Sequence, residues 1–310
     1  MLVSLSKSRF APAGSGDPAG RQRIWRSAAS LCDLLSLVLF LEPQGEVEMP
    51  ADLGRAVHAW FLDRVREDAP ELAERLHEGH ALRPFTLSPL RRTEERRCWL
   101  RITALEAELA EWLLGATWPE EITLGPVAYR LRGVTSDPQE HPWAGRTTYE
   151  ALLGHLLGTE EPEARVELEF ASPTTFRSRG HHLPLPLPHL VFGSYREKWN
   201  AFAPLRLPEA VLSYVEEQVV VARYRLCTRL VAFGEARFVG FVGSCRFLAL
   251  RRDPRWLRVV QLLADFAFYA GTGHRTTVGL GQTRRRDGRA FGEAGVGLGE
   301  PGGGLGTGSG

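Results

Sequence analysis

The chain has 310 residues, of which 44% are hydrophobic, and a formal net charge of +1 at pH 7. This length and apolar content are sufficient for two domains with buried cores. The apolar run at residues 34–41 is much shorter than the roughly 20 residues that a membrane helix requires, and no signal-peptide pattern precedes it, so we expect a cytoplasmic protein without a membrane partner.

The first half of the chain shows one β-α-β-β-α-β pattern. A strand is predicted at residues 34–41, followed by an amphipathic helix at 53–66 that places Val57, Phe61 and Val65 on one face. Two strands at residues 84–90 and 98–105, a helix at 105–114 and a strand at 122–132 complete this half.

The second half repeats the pattern. It contains a strand at residues 165–171 and a segment that includes a helix at 187–202. Two strands at 218–232 and 237–250 then form a long hairpin around Gly234 and Glu235. Asp253 is predicted to cap a helix that has Pro254 at its first position and ends near Tyr269. A last strand is predicted at 277–285.

Two such units in tandem predict an α+β protein with two ferredoxin-like (βαββαβ, RRM-like) domains and a cleft between their sheets. The expected bounds are 33–145 for the N-terminal domain and 146–290 for the C-terminal domain, which contains a glycine-rich loop at 271–281. Residues 1–32 and 291–310 lack a core-forming pattern, which predicts a flexible leader and a disordered, glycine-rich tail.

The loop at 271–281 contains four glycines in eleven positions. Glycine allows a positive φ and a close approach of the backbone to another group. His274, Arg275, Thr276 and Thr277 lie between these glycines and supply hydrogen-bond donors, which suits a phosphate backbone. A tight packing turn against the sheet is the alternative interpretation.

Positive charge is concentrated around this loop. Residues 246–290 contain ten arginines and three aspartates, a surplus of seven positive charges in a chain that is nearly neutral overall. Local charge matters more than net charge to a polyanion, so this region favours contact with nucleic acid.

The cysteines and the clustered histidines do not predict a metal site. The cysteines are scattered without a Cys-x-x-Cys pair, which favours core packing over zinc or redox chemistry. Three histidines flank a proline-rich stretch without helical spacing or acidic ligands. These residues are Cys32, Cys98, Cys227 and Cys245, and His181, His182 and His189.

Four ordered motifs resemble the Cas6 family, the CRISPR-associated endoribonucleases of the RAMP superfamily. The glycine-rich loop is similar to the C-terminal signature of that family. Residues 170–176 and 185–200 resemble its central motif. Residues 53–58 and 76–77 resemble its N-terminal helix and the following loop, and residues 84–90 resemble its second strand. The resemblance covers about residues 33 to 287.

The resemblance implies a metal-independent endoribonuclease that cuts precursor CRISPR RNA within each repeat and generates mature crRNA. In this family the 2′-hydroxyl upstream of the scissile phosphate attacks it, which leaves a 2′,3′-cyclic phosphate and a 5′-hydroxyl. Such chemistry requires a base, an acid and a cation, and histidine suits the proton transfers near neutral pH. The resemblance implies no cofactor and CRISPR repeat RNA as the partner, and it leaves effector-complex subunits and a homodimer open.

The resemblance also suggests catalytic residues. His77 corresponds to a catalytic histidine in the loop after the first helix, and Arg83 corresponds to a cation that holds the scissile phosphate. His80 is an alternative proton carrier. His58, beside Val57 on the first helix, is expected at the core or its rim, with catalysis as the alternative.

Some relatives use a tyrosine on the first helix, where this chain has Trp60, Phe61 and Leu62. The expected RNA contacts are Gly271, Gly273, His274, Arg275, Thr276, Thr277, Gly279, Gly281, Arg177, Arg179 and Arg284. A catalytically inactive RAMP subunit that binds guide RNA in a CRISPR effector complex is the alternative function, and a histidine in the loop after the first helix favours the enzyme.

Overall fold

The computed structural model describes residues 32–45, 53–77, 82–93, 97–158, 161–178, 180–233 and 236–286. The predicted leader up to residue 31, the predicted tail, His80, Arg179 and the predicted hairpin turn at Gly234 and Glu235 lie outside the described residues.

The first half of the described chain forms one antiparallel sheet. Its strands are Leu34–Pro43 (β1), Phe85–Leu87 (β2), Arg91–Arg92 (β3), Cys98–Ala104 (β4), Glu121–Leu124 (β5), Val127–Thr135 (β6) and Gly145–Thr147 (β7), and its helices are Gly54–Asp68 (α1), Pro70–His77 (α2) and Ala107–Gly115 (α3). The strand order is β2-β4-β1-β6-β5, with β3 paired to β4 and β7 paired to β1.

The second half forms a four-stranded antiparallel sheet in the order β11-β12-β8-β13, beside a two-stranded ribbon of β9 and β10. The strands are Arg165–Thr174 (β8), Phe176–Ser178 (β9), His181–Leu183 (β10), Val219–Phe233 (β11), Ala236–Ala249 (β12) and Thr283–Arg285 (β13). The helices are Tyr149–Leu157 (α4), Pro188–Phe202 (α5), Ala210–Gln218 (α6) and Pro254–Ala270 (α7), and a 3₁₀-helix spans Thr276–Val278.

Both sheets have the topology of a ferredoxin-like unit. In each, the first strand lies between the third and the fourth of the β-α-β-β-α-β pattern: β1 between β4 and β6, and β8 between β12 and β13. The predicted fold class is therefore confirmed. The domain bounds at 33–145 and 146–290 stay a prediction.

Several predicted elements differ from the structure. The strand predicted at 122–132 is a hairpin of β5 and β6, because Gly125 adopts a φ of 60° and turns the chain. The strand predicted at 277–285 is confined to β13, because the preceding residues form the 3₁₀-helix and a glycine turn. Helices α2, α4 and α6 were not predicted as separate elements, whereas the Asp253 cap is confirmed, since its carboxylate accepts the Arg255 N–H.

Each sheet packs the helices of its own unit on one face. Along β8, buried residues alternate with more exposed ones over the whole strand. The buried side forms one hydrophobic core with α5 and α7, and the first sheet forms another with α1 and α3. Cys32, Cys98 and Cys245 are buried as predicted, whereas Cys227 is exposed, because it lies on β11 at the edge of the sheet.

The other faces of the two sheets meet in a small apolar seam. Val38 of β1 packs there with Trp143, while Ala171 of β8 and Phe268 of α7 pack against them. The Trp143 and Phe268 rings stack with centroids 5.9 Å apart. This seam joins strand β1 of the first unit to strand β8 and helix α7 of the second.

Candidate active site

The N-terminal end of helix α1 contacts the glycine-rich loop. The His58 Nδ1 lies 3.0 Å from the carbonyl oxygen of Thr277, and the His58 ring stacks on Phe85 of β2. A Cβ at Gly54 would collide with the carbonyl oxygen of Val278. The helix can therefore approach the loop closely only because residue 54 is glycine.

The contact with Thr277 defines the protonation of His58. A carbonyl oxygen only accepts, so Nδ1 carries the proton and donates it, and Nε2 of the neutral ring keeps its lone pair. Burial lowers the pKa of His58, the bond to Thr277 opposes this change, and the proximity of Arg83 and His77 lowers the pKa further. The ring is therefore held neutral near pH 7, a state in which Nε2 can accept a proton.

His77 is the last residue of helix α2 and its side chain is exposed. The prediction of a loop position was wrong, because residues 70–77 form a separate short helix after α1. The guanidinium of Arg83 donates to the carbonyl oxygens of Leu76 and His77, the latter at 2.7 Å. Arg83 thus satisfies the last carbonyls of α2 and places its charge beside His77 and His58.

The glycines of the loop are required by internal packing. Gly273 and Gly281 have φ values of 74° and 69°, and a Cβ at either would collide with a carbonyl oxygen, that of Thr175 or of Thr272. Arg275 has a φ of 60° and is the one non-glycine residue with a positive φ among the described residues. The packing-turn interpretation therefore explains the glycines themselves.

Two buried cations hold the start of this loop. Lys198 of α5 donates from Nζ to the carbonyl oxygens of Ala270 (2.7 Å) and Gly271 (3.2 Å) and to Thr276 Oγ1 (3.3 Å). Arg101 of β4 donates to the Phe268 carbonyl oxygen from the first sheet. The last carbonyls of α7, which have no partner within the helix, are thereby satisfied by N–H groups of these two side chains.

Arg101 also ties the first sheet to the residue that follows the loop. Its Nη1 donates to Gln282 Oε1 at 2.7 Å, and Gln282 Nε2 donates to the carbonyl oxygen of Leu87 at 3.1 Å. Burial lowers the pKa of Arg101 to about 9, so the guanidinium remains charged at neutral pH. The sequence did not indicate these links, because each joins residues distant along the chain.

Comparisons with known proteins assign the family. A model of the "CRISPR-associated endoribonuclease Cas6" matches residues 168–283, and a model of the "CRISPR Cas6 N-terminal domain" matches residues 34–97. A CRISPR-associated endoribonuclease Cas6 of Mycobacterium tuberculosis is 30% identical over 254 residues, which are 81% of this chain and 77% of the relative. The chain belongs to the Cas6 family.

Solved Cas6 structures share the whole architecture. Thermus thermophilus Cas6 superposes with a TM-score of 0.67 and 29% identity, over 84% of this chain and 100% of the other. A Cas6 product complex gives a TM-score of 0.69 and 33% identity, over 82% of this chain and 99% of the other. The family resemblance seen in the motifs is confirmed.

In this Cas6 family member, the residues expected to contact RNA divide into inward and outward groups. Thr276 is buried and its hydroxyl faces Lys198, while Arg284 lies in the seam, where it pairs with Glu169 at 2.8 Å and covers the Trp143 ring. These two side chains serve internal packing in the structure.

The outward group surrounds the β9–β10 ribbon. Arg177 is exposed, Arg275 lies with its guanidinium 5.5 Å from the centre of the Phe238 ring, and the His182 ring stacks on the same phenylalanine at 4.3 Å. His274 lies 5.9 Å from His182, and its pKa is lowered to about 4, chiefly by burial and then by Arg275. His274 is therefore neutral near pH 7 and adds no positive charge.

His182 and Lys198 were not predicted as parts of this region. His182 was considered only within a rejected metal cluster, and within the described residues no three His, Cys, Asp or Glu side chains are grouped to hold a metal ion. Lys198 carries one signal in the sequence: it is one of two lysines in an arginine-rich chain and lies beside the apolar residue Trp199. No described helix has both the length and the apolar content to cross a membrane.

Proposed function

We propose that this protein cleaves precursor CRISPR RNA within the repeat by attack of a 2′-hydroxyl on the adjacent phosphate, without a metal ion. The products are a 2′,3′-cyclic phosphate and a 5′-hydroxyl. Membership of a family of CRISPR-associated endoribonucleases supports the substrate class. The observation that carries the proposed chemistry is the grouping of His58, His77 and Arg83 beside the glycine-rich loop.

His77 is the main proton carrier in this proposal. Its exposed imidazole lies at the end of α2, where a bound strand of RNA can reach it. The Nε2 of His58, which is left as an acceptor by the bond to Thr277, is the second proton-transfer group. Two such groups match the two transfers of the reaction, one from the 2′-hydroxyl and one to the leaving 5′-oxygen.

Arg83 supplies the positive charge for the phosphate in the transition state. Two of its N–H groups are already bound to the end of α2, which fixes the guanidinium in one orientation. A fixed cation stabilises developing negative charge without the cost of reorganisation. We expect the RNA backbone to pass from this arginine to the outward residues Arg177 and Arg275.

In this proposal, the glycines of the loop determine the path of its backbone, and other residues of the loop contact the RNA. Its backbone brings Thr277 to His58 and Arg275 to the β9–β10 ribbon. We expect Arg275, Arg177, His274 and Thr277 to be the loop-side RNA contacts. Binding of effector-complex subunits, homodimerisation and a cytoplasmic location stay predictions.

Substitution of His77 and of His80 separates the two candidate proton carriers. His77→Ala is expected to lower the single-turnover rate of repeat RNA cleavage by about 10²- to 10⁴-fold, the usual effect of removing an acid or base. His80→Ala should change the rate by less than about threefold. The assignment of His77 is wrong if the two variants behave in the opposite way.

An inactive RNA-binding subunit is the alternative. It would bind the repeat RNA and leave it intact in the wild-type protein as well as in both variants. Retention of RNA by His77→Ala with loss of cleavage would instead support the enzyme.

A further inference from the structure

Lys198 of helix α5 joins two parts of the glycine-rich loop that are separated along the chain. Its Nζ donates to the carbonyl oxygens of Ala270 and Gly271, where the loop begins, and to Oγ1 of Thr276 at 3.3 Å. The side chain is only 5% exposed, so these three oxygen atoms replace water around the ammonium group. Lys198 therefore ties the first residues of the loop to its 3₁₀-helix.

Two other side chains of α5 bond the loop before the 3₁₀-helix begins. Ser194 Oγ accepts from the Gly273 N–H at 3.4 Å, and the hydroxyl oxygen of Tyr195 lies 2.6 Å from Thr272 Oγ1. Within the described part of the chain, Lys198 is the one of these three side chains with a hydrogen bond to the 3₁₀-helix. The three contacts can therefore be removed separately.

The 3₁₀-helix has little hydrogen bonding of its own. It spans Thr276–Val278 and lies between two residues with a positive φ, Arg275 at 60° and Gly279 at 100°. The Val278 N–H donates back to the Arg275 carbonyl oxygen at 3.1 Å. A single turn of this kind is stabilised poorly by its backbone, so its orientation depends on the contacts of its side chains.

The 3₁₀-helix also supplies the acceptor for His58. Thr277 follows Thr276 directly, and its carbonyl oxygen lies 3.0 Å from the His58 Nδ1. The peptide group that joins the two threonines is planar and rigid, so a displacement of Thr276 also moves Thr277. Without this acceptor, either nitrogen of the neutral His58 ring could hold the proton.

We propose that Lys198 is a positioning residue for RNA cleavage. By holding Thr276 to the start of the loop, it places the Thr277 carbonyl that keeps the His58 proton on Nδ1 and leaves Nε2 as an acceptor. The effect on the cleavage rate rests on the proposed function, whereas the effect on the His58 ring does not. Lys198 is buried and acts through His58 without touching the RNA.

Nitrogen NMR of the free protein tests this positioning without requiring cleavage. With ¹⁵N-labelled histidine at neutral pH, wild-type His58 should show a protonated Nδ1 and an unprotonated Nε2. The His58→Asn variant identifies these signals among the nine histidines of the chain. Lys198→Met should reduce the fraction of His58 that is protonated on Nδ1, because the Thr277 carbonyl is no longer held in place.

Variants of Thr276 test the same link while Lys198 stays in place. Lys198→Met removes the donor of two buried carbonyl oxygens and is expected to lower the melting temperature as well. Thr276→Val removes only the hydroxyl partner and should change the His58 signals in the same direction. Thr276→Ser retains a hydroxyl and should restore the wild-type signals. The control Ser194→Ala removes another bond between α5 and the loop and should leave the His58 signals unchanged.

Single-turnover cleavage of repeat RNA measures the kinetic consequence. At saturating RNA, Lys198→Met should lower the rate by about tenfold, a partial loss of the contribution of a proton-transfer group. The dissociation constant for RNA should stay within about twofold of the wild type, because a positioning residue affects the chemical step and not binding. In the His58→Asn background, Lys198→Met should cause no further loss of rate, since the effects of residues that act through one another do not add.

The proposal is overturned if Lys198→Met and Thr276→Val both keep the wild-type His58 signals, or if Ser194→Ala changes them by the same amount. It is also overturned if the signals change while the saturating rate of an active enzyme does not, or if Lys198→Met lowers the rate equally in the presence and absence of His58. If the wild-type protein fails to cut repeat RNA but the signals change as expected, the proposed function fails and the control of His58 by Lys198 stands.

Discussion

At the scale of single residues, His58 shows how a position expected in the core acquires a polar role. Its ring is half-buried against Phe85, yet Nδ1 donates to a carbonyl of the other unit. Helical spacing predicts a position beside the apolar face of α1, because that prediction uses only neighbours within the helix. The bond to Thr277 joins residues 219 positions apart, and local sequence patterns hold no information about it.

His58→Asn separates the structural role of this residue from its chemical role. The asparagine amide can donate to Thr277 from near the Nδ1 position but has no equivalent of Nε2, so melting temperature should change little while the cleavage rate falls at least about tenfold. Single-turnover cleavage and thermal unfolding of the same preparation measure both effects. An unchanged rate would restrict His58 to packing.

Arg83 and Thr276 also show the difference between what the local sequence indicates and what the folded chain determines. Motif order selected Arg83, which the structure places at the end of α2, where it donates to the His77 carbonyl oxygen. Its catalytic role stays a prediction. Thr276 was selected because hydroxyl donors in a glycine-rich loop suit phosphate, but its side chain turns inward to Lys198. The inward orientation depends on the left-handed backbone at Arg275 just before it, which composition alone does not reveal.

At the scale of elements, the end of helix α7 is the feature that holds the glycine-rich loop. Its last carbonyls face Lys198 and Arg101, one cation from each unit. The sequence predicted this helix and its N-terminal cap, since Asp253 and Pro254 are local signals. It did not predict how the other end is satisfied, because those partners come from α5 and β4.

Lys198 makes the stability of the protein depend on pH. Burial lowers its pKa from 10.5 to about 7. Between these values the unfolded chain holds the proton more tightly than the folded chain, so Lys198 reduces stability progressively as pH falls from 10.5 towards 7.

The melting temperature of the wild type relative to Lys198→Met should therefore rise between pH 7 and pH 9.5. The methionine has a similar length and does not titrate, so the difference between the two curves isolates the lysine. A difference that stays constant over this range would mean that the three hydrogen bonds of the ammonium group preserve its ordinary pKa.

At the scale of the whole molecule, polar side chains cross the seam and link the two sheets by hydrogen bonds. Gln282 accepts from Arg101 of β4 and donates to the Leu87 carbonyl, so the residue after the glycine-rich loop is fixed to the first sheet. The sequence predicted two ferredoxin-like units from their repeated pattern. It did not predict their mutual orientation, which depends on these long-range contacts.

This arrangement brings the proposed catalytic groups of the first unit to the loop of the second. His77 and Arg83 lie at the end of α2, and His58 binds Thr277. We therefore predict one active site that uses groups from both units and performs proton transfer with side chains alone.

Cleavage of a cognate repeat RNA in excess EDTA is the decisive test of this prediction, with analysis of the product ends and a matched RNA that has a 2′-deoxy nucleotide upstream of the cut. We expect a full rate in EDTA, a 2′,3′-cyclic phosphate or its opened form on the upstream product, and no cleavage of the 2′-deoxy RNA. A requirement for added magnesium, or cleavage of the 2′-deoxy RNA at the normal rate, would contradict side-chain catalysis by this site.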